Sequence, residues 1–323
     1  MNQKLMVAGV SAALGAVLLV TTAFTGLANA SGYESYKTAV KNSIKAANYT
    51  GNFEVNIKDN DNQLVDVTTL VKTNKDSGEM SRKTTIDAGS QQKTIEMFRQ
   101  DGKSVMKNSD SDTYFVSGEG NKMIRKGPGK NEAVRDVEAA KAGEAVLDAL
   151  VGNLKDYVNM QSTADGKSEI SMQLSSGQIP AFANALASLA VKRALNGKEM
   201  QHRGQMLFGA NLDINAPKLV SDININSVDF NALVNKDNFI ENQTADVVIT
   251  GKDAEGKEHS VAISVNMSVT DINSTTPDKV NLTGKQVKTA DPRNDKGPRG
   301  RVFPGGHRGF GDFKDGGKTN SEN

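Results

Sequence analysis

Residues 261–269 read Val-Ala-Ile-Ser-Val-Asn-Met-Ser-Val. Val261, Ile263, Val265, Met267 and Val269 stand at every second position, with small or polar residues between them. That period of two puts all five on one side of an extended chain, so the segment predicts a strand with one buried and one wet face. The same period appears near the other end. Phe53, Val55 and Ile57 alternate with Asn52, Glu54, Asn56 and Lys58. Asp59-Asn60-Asp61-Asn62 then forms a turn cluster, and Val65, Val67, Thr69 and Val71 carry the alternation back.

Further strands are expected at 79–87, 93–100, 103–107 and 113–116, with Asp101-Gly102 as a hairpin turn between two of them. In the later part, Ile170, Met172 and Leu174 alternate, as do Ile223, Ile225 and Ser227, and then Val247 and Ile249. The turn Asp253-Ala254-Glu255-Gly256 follows, and Thr283-Gly284-Lys285 closes the folded region. Connections this short make neighbouring strands antiparallel.

Three segments carry a helical period. In 31–48, Tyr36, Val40, Ile44 and Ala47 fall on one face and Lys37, Lys41 and Lys45 on another. In 132–160, an apolar stripe includes Val134, Val137, Leu147, Leu150, Leu154 and Val158. In 179–195, Pro180 suits the first turn, and Phe182, Leu186, Leu189 and Ala190 form a broad apolar face. Residues 118–130 are a Gly- and Lys-rich linker, and 200–217 read as a long loop. The fold class expected is α+β: a curved antiparallel sheet, or two, wrapping a few helices. A faint echo links Phe53-x-Val55 and Lys58-Asp59 with Val247-x-Ile249 and Lys252-Asp253. It leaves room for two degenerate halves, 31–127 and 131–289.

The ends have their own signatures. Lys4 precedes an uncharged apolar run over 5–27, and Ala28-Asn29-Ala30 supplies a small-x-small cleavage site. A secretory signal peptide cut after Ala30 is expected, placing the protein outside the cytoplasm or in the cell envelope. The rival is a retained anchor, since the run is long enough to span a bilayer. Residues 290–323 hold eight glycines, three prolines and seven basic against five acidic residues. Such a segment lacks the apolar area to fold, so a disordered tail is expected. Arg299, Arg301 and Arg308 lie there among Phe303, Phe310 and Phe313, a composition suited to an anionic wall polymer or a membrane surface.

Composition narrows the chemistry. Lys and Arg number 39 against 38 Asp and Glu, which gives no electrostatic case for nucleic acid. Without cysteine the chain has no disulfide, thiol nucleophile or lipobox. His202, His259 and His307 lack ligand spacing, so no metal is expected. Neither a Gly-x-Ser-x-Gly elbow nor a P-loop is present. Asp59-x-Asp61, Asp110-x-Asp112 and Asp271-x-Asn273-x-Thr275 lack the glycine and terminal glutamate of a calcium loop. These features point to a non-enzymatic protein without a cofactor. An exported hydrolase stays open, because carboxylate separation in space is not written in a sequence.

The helix at 33–47, the long strands at 52–58 and 64–73, and the steps Asp101-Gly102-Lys103-Ser104-Val105-Met106 and Thr113-Tyr114-Phe115-Val116 occur in an order that resembles the half-barrel envelope proteins of the LolA/LolB and LppX type. The likeness covers mainly 33–116 and more loosely 168–285. It implies a curved antiparallel sheet wrapped around helices and an apolar cavity. This chain departs from the pattern by its greater length, its basic tail and its lack of cysteine, and no lipid-contacting residue transfers one by one. The expected function is to hold a lipid or other hydrophobic ligand. Phe53, Val55, Phe98, Leu150, Leu154, Phe182, Leu186 and Leu189 are the candidate lining. The alternative is an envelope interaction protein without a cavity, whose tail adheres to anionic polymer.

Overall fold

The computed structural model describes residues 31–89, 91–117, 157–181, 183–185, 187–188 and 216–290. All of them belong to one compact unit. Helix α1 spans Ser31–Lys45. Six strands follow: β1 Asn48–Asp59, β2 Asn62–Asn74, β3 Glu79–Ala88, β4 Gln91–Gln100, β5 Lys103–Asn108 and β6 Thr113–Ser117. Then come β7 Val158–Ser162, β8 Ser168–Ser175, β9 Ser221–Val234, β10 Ile240–Lys252, β11 Glu258–Thr270 and β12 Gln286–Ala290.

The strands form a single 12-stranded sheet in the order β12-β6-β5-β4-β3-β2-β1-β11-β10-β9-β8-β7. It is open, with β12 and β7 at its edges. Two antiparallel meanders, β1–β6 and β7–β11, meet where β1 pairs with β11. Every pairing is antiparallel except β12 with β6, which is parallel.

Tight turns follow from local chemistry. Asn60 and Asp61 (φ 46° and 67°) join β1 to β2, and Asp101 and Gly102 (φ 50° and 71°) join β4 to β5. Two central residues at positive φ make the type I′ turn, whose twist matches that of the strands it joins. Asn, Asp and Gly tolerate that region best.

Register assigns each side chain to a face. One face, here the core face, gathers Val55, Ile57, Val65, Val67, Ile86 and Ile95 from the first meander. The second contributes Ile170, Met172, Phe230, Ala245, Val247 and Ile263. Helix α1 packs on this face over β7–β10. The Tyr36 ring stands edge-on to Phe230 at 5.2 Å, and its hydroxyl donates to Gln243 Oε1 at 2.7 Å. Ser43 Oγ accepts from the Ile240 amide at 2.9 Å.

The opposite face carries a strap. After β11 the chain crosses the sheet over residues 271–285 to reach β12. Thr50, Lys72, Ser81, Phe98, Val105 and Val116 lie opposite one another in one row across β1–β6. The strap follows that row. The Thr275 amide donates to Asn48 Oδ1 at 2.7 Å, and the Asp278 amide donates to Ser81 Oγ at 3.0 Å. Lys72 Nζ meets Asp278 Oδ1 at 2.8 Å. Gln100 then grips both sides of one strap residue: the Val280 amide donates to its Oε1 at 2.8 Å, and its Nε2 donates to the Val280 carbonyl at 2.9 Å. Val280 and Leu282 cover a second apolar cluster of Phe98, Val105, Tyr114 and Val116.

Several expectations need correction. Ile44 is 70% exposed; the face of α1 that packs is Tyr36, Ala39, Ser43 and, just beyond its end, Ala46. Residues 158–160, expected to end a helix, are the start of strand β7. Residues 228–234 extend the strand expected at 223–227 into the 14-residue β9. The folded region does not close at Lys285: β12 follows, and Ala290, expected as the start of the tail, is its last residue. The remainder of 132–156, the loop at 200–215 and the tail beyond 290 lie outside the described residues. Helical geometry is present at 181, 183–185, 187 and 188, as the 179–195 pattern predicts. No helix among the described residues is long and apolar enough to cross a membrane.

Changing Gln100 to Ala leaves both backbone groups of Val280 without their side-chain partners. A loss of about 1–3 kcal/mol in urea unfolding is expected, with faster amide exchange at 278–290. Unchanged exchange there would show that the strap is held by other contacts.

Candidate functional site

On the core face of the first meander one row is only half-buried. Gly51, Val71, Arg82, Met97, Met106 and Phe115 lie side by side across β1–β6. All but Gly51 remain partly accessible, and Phe53 stands next to Gly51 on the same face. The absence of a side chain at Gly51 lets the Phe53 ring lie flat there: a Cβ at 51 would sit 2.8 Å from Phe53 Cε2 and 3.2 Å from Val71 Cγ1. Two methionines, an aromatic ring at each end and a valine make an apolar surface that adapts its shape, since Met side chains repack readily.

One charge sits inside this row. Arg82 points to the core face because it shares parity with Thr84 and Ile86 on β3. Its Nη2 donates to Met97 Sδ at 2.8 Å, a weak acceptor, and its Nε is buried without a hydrogen-bond partner. Burial pulls the guanidinium below its usual pKa. Beside it, Thr69 and Thr84 share a hydrogen bond at 3.0 Å.

The residues expected to line a cavity separate. Phe53 is half-buried and Val55 buried, both on the core face. Phe98 lies on the opposite face, under Val280 and Leu282, because it is one residue out of step with Ile95 and Met97. It therefore does not share a space with Phe53 and Val55. Leu150, Leu154, Phe182, Leu186 and Leu189 fall outside the described residues, as do Arg299, Arg301 and Arg308. Arg82, Met97 and Met106 were not anticipated, although alternation from Ile86 and Ile95 places Arg82 and Met97 on the core face.

A second polar cluster lies at the turn end of the seam between meanders. His259 on β11 is 8% exposed. Its Nδ1 lies 2.8 Å from Asp59 Oδ2 and its Nε2 lies 3.2 Å from Asp253 Oδ2. Asp59 ends β1, and Asp253 opens the turn between β10 and β11. These are the two aspartates of the sequence echo, and they meet at one imidazole. Only the imidazolium has an N–H for each carboxylate. Burial opposes that charge, but the hydrogen bonds and charges of Asp59 and Asp253 outweigh it, so the His259 pKa is raised. Burial likewise pushes the Asp253 carboxyl up, and is outweighed by the hydrogen bond from His259 and those from the Lys257 and Glu255 amides; its pKa is lowered. The three acidic turns that lack the glycine and glutamate of a calcium loop hold turn bonds and ion pairs, such as Lys93 Nζ with Asp110 Oδ2 at 2.6 Å. Among the described residues no group of three His, Cys, Asp or Glu side chains is arranged to hold a metal ion.

No protein-family model matches this chain, and no curated protein matches it. Among solved structures, a bifunctional dehydratase-cyclase domain from ambruticin biosynthesis aligns at 13% identity over 72% of this chain and 79% of that one, with a TM-score of 0.12. A score that low supports neither a shared fold nor a shared activity.

The His259 cluster makes stability depend on pH. Because the folded pKa of His259 lies above its ordinary 6.5, its contribution is whole below pH 6.5 and is lost as pH rises through the folded value. Asp253 acts in the opposite sense: its contribution is present above pH 3.8 and is lost as pH falls through its lowered value. The stability difference between the parent and His259→Gln should therefore peak between those limits and shrink in alkali. Urea unfolding from about pH 4 to about pH 9 measures it, and a flat difference would refute the imidazolium assignment.

Proposed function

We propose that this chain is an exported bacterial envelope protein, not an enzyme, that holds a hydrophobic, lipid-like ligand against the core face of its sheet. The observation that carries the reading is the half-buried apolar row of Phe53, Val71, Met97, Met106 and Phe115. It continues a fully buried core, where Val65 and Ile86 are 0% and 1% exposed, onto accessible surface. Apolar side chains kept partly in contact with water on an otherwise well-buried face mark a place for a further apolar surface.

The open sheet agrees with a half-barrel arrangement of the LolA type, in which helices and sheet enclose cargo between them. The pattern over residues 1–30 supports export, with cleavage after Ala30. The non-enzymatic part of the reading draws on His259. Both of its ring nitrogens are engaged by carboxylates, so neither is left to act as a general base.

Native mass spectrometry of the purified chain, with organic extraction in parallel, tests this. A bound mass released as lipid on denaturation is expected. Phe53→Asp, and more gently Met106→Gln, should lose it while the far-ultraviolet circular dichroism stays the same. A clean apo mass that does not change on incubation with envelope lipids would overturn the reading.

A further inference from the structure

Arg82 is out of place in its surroundings. The strands β2–β6 contain four acidic residues, Asp66, Glu79, Asp87 and Glu96, and register puts every one of them on the strap face. The core face of the same strands carries Arg82, Lys93 and Arg99 and no carboxylate from within the strands. Lys93 is neutralised by Asp110 from the loop between β5 and β6. Arg99 is exposed and so solvated by water. Arg82 is the cation in the middle of the apolar row, with a thioether as its hydrogen-bond partner and a buried Nε that has none.

Shielding a guanidinium even partly from water without a counter-charge is costly, and an anion arriving from outside would offset that cost. The planar fork of arginine matches a carboxylate or phosphate through two parallel hydrogen bonds. An apolar row with such a fork in its middle fits a molecule that is apolar along most of its length and anionic at one point.

We propose that Arg82 recognises the anionic group of the ligand, which is an amphiphile bearing a carboxylate or phosphate beside its hydrocarbon chain. The inference rests on the reading of the core face as a hydrophobic-ligand site and adds the charge of the ligand to it. Arg82 holds the anion, while Phe53, Val71, Met97 and Met106 contact the chain.

The test compares decanoate, decanol and inorganic phosphate by calorimetry on the purified full chain, for the parent, Arg82→Met and Arg82→Lys. The parent should bind decanoate about tenfold more tightly than decanol, the size expected of one charge-assisted hydrogen-bonded pair. Arg82→Met should bind the two alike, and Arg82→Lys should keep part of the preference. Phosphate alone should not displace decanoate; displacement would show a free-anion site and overturn the amphiphile. The ligand-free Arg82→Met protein should melt at the same temperature as the parent or higher, because a half-buried charge without a counter-charge is removed. A clear fall would mean the guanidinium is satisfied within the protein, and would overturn the proposal. Equal binding of decanoate and decanol by the parent, unaltered in Arg82→Met, would overturn the anion inference alone. Binding of neither would overturn the hydrophobic-ligand reading with it.

Discussion

The pairing of β1 with β11 is the constraint on which the rest depends. It runs in unbroken register from Thr50 opposite Thr270 to Asp59 opposite Val261. On the core face it sets Phe53 against Met267, Val55 against Val265 and Ile57 against Ile263. Remove it and the sheet becomes two smaller ones, each with an exposed apolar edge. The turn end of this seam is closed by side chains as well as by the ladder. The Asn60 amide donates to the Ser260 carbonyl at 3.0 Å, and Asn60 Oδ1 accepts from the Ser260 amide at 3.0 Å. His259 adds its two carboxylates one residue away. Ladder, turn and charge all act at one place, so the two meanders behave as one sheet.

Much of this was legible, and what was not has a physical cause. The alternation at 52–58 and 261–269 identifies both seam strands, because a half-buried strand must alternate. Their mutual pairing is not written in either one. Period-two patterns fit any partner of the right length, and the choice between β11 and the other strands is made by packing. The face of Phe98 was legible in principle: Met97-Phe98 is an apolar doublet, and parity with Ile95 selects Met97 for the core. Helix α1 faces the core through Tyr36 and Val40 as its pattern predicts, but one residue off at Ile44, where Ser43 packs instead. Its orientation is set by Tyr36 meeting Phe230 and by the bond between Ser43 and Ile240, neither of which a hydrophobicity pattern contains. β12 escaped because Gln286–Ala290 is short and mostly exposed. What makes it a strand is β6 beside it. His259 looked isolated because one of its partners lies 200 residues away in the chain.

The two faces of the sheet do different work with similar residues. On the strap face the apolar cluster under Val280 and Leu282 is covered by the chain itself, and Thr275, Asp278 and Val280 of the strap are hydrogen-bonded to side chains of the sheet. On the core face the row around Arg82 has its apolar groups half-covered and a polar atom unmatched. A single amphipathic sheet thus carries one apolar cluster covered by its own chain and one apolar row left half-covered among the described residues. That difference is why the core face, and not the strap face, is the surface on which the proposed ligand is placed.

The strap also imposes an order of events. Gln100 and Val280 are separated by 180 residues, so β6 acquires its parallel neighbour only after the chain through β11 has been made. During synthesis, amino terminus first, the first meander emerges with two open edges, and one stays bare until almost the last described residues arrive. Contacts between such distant positions slow folding, since a large loop must close before they form. The topology therefore creates an interval in which a half-made sheet is sticky. In that interval a chaperone has the most to contribute.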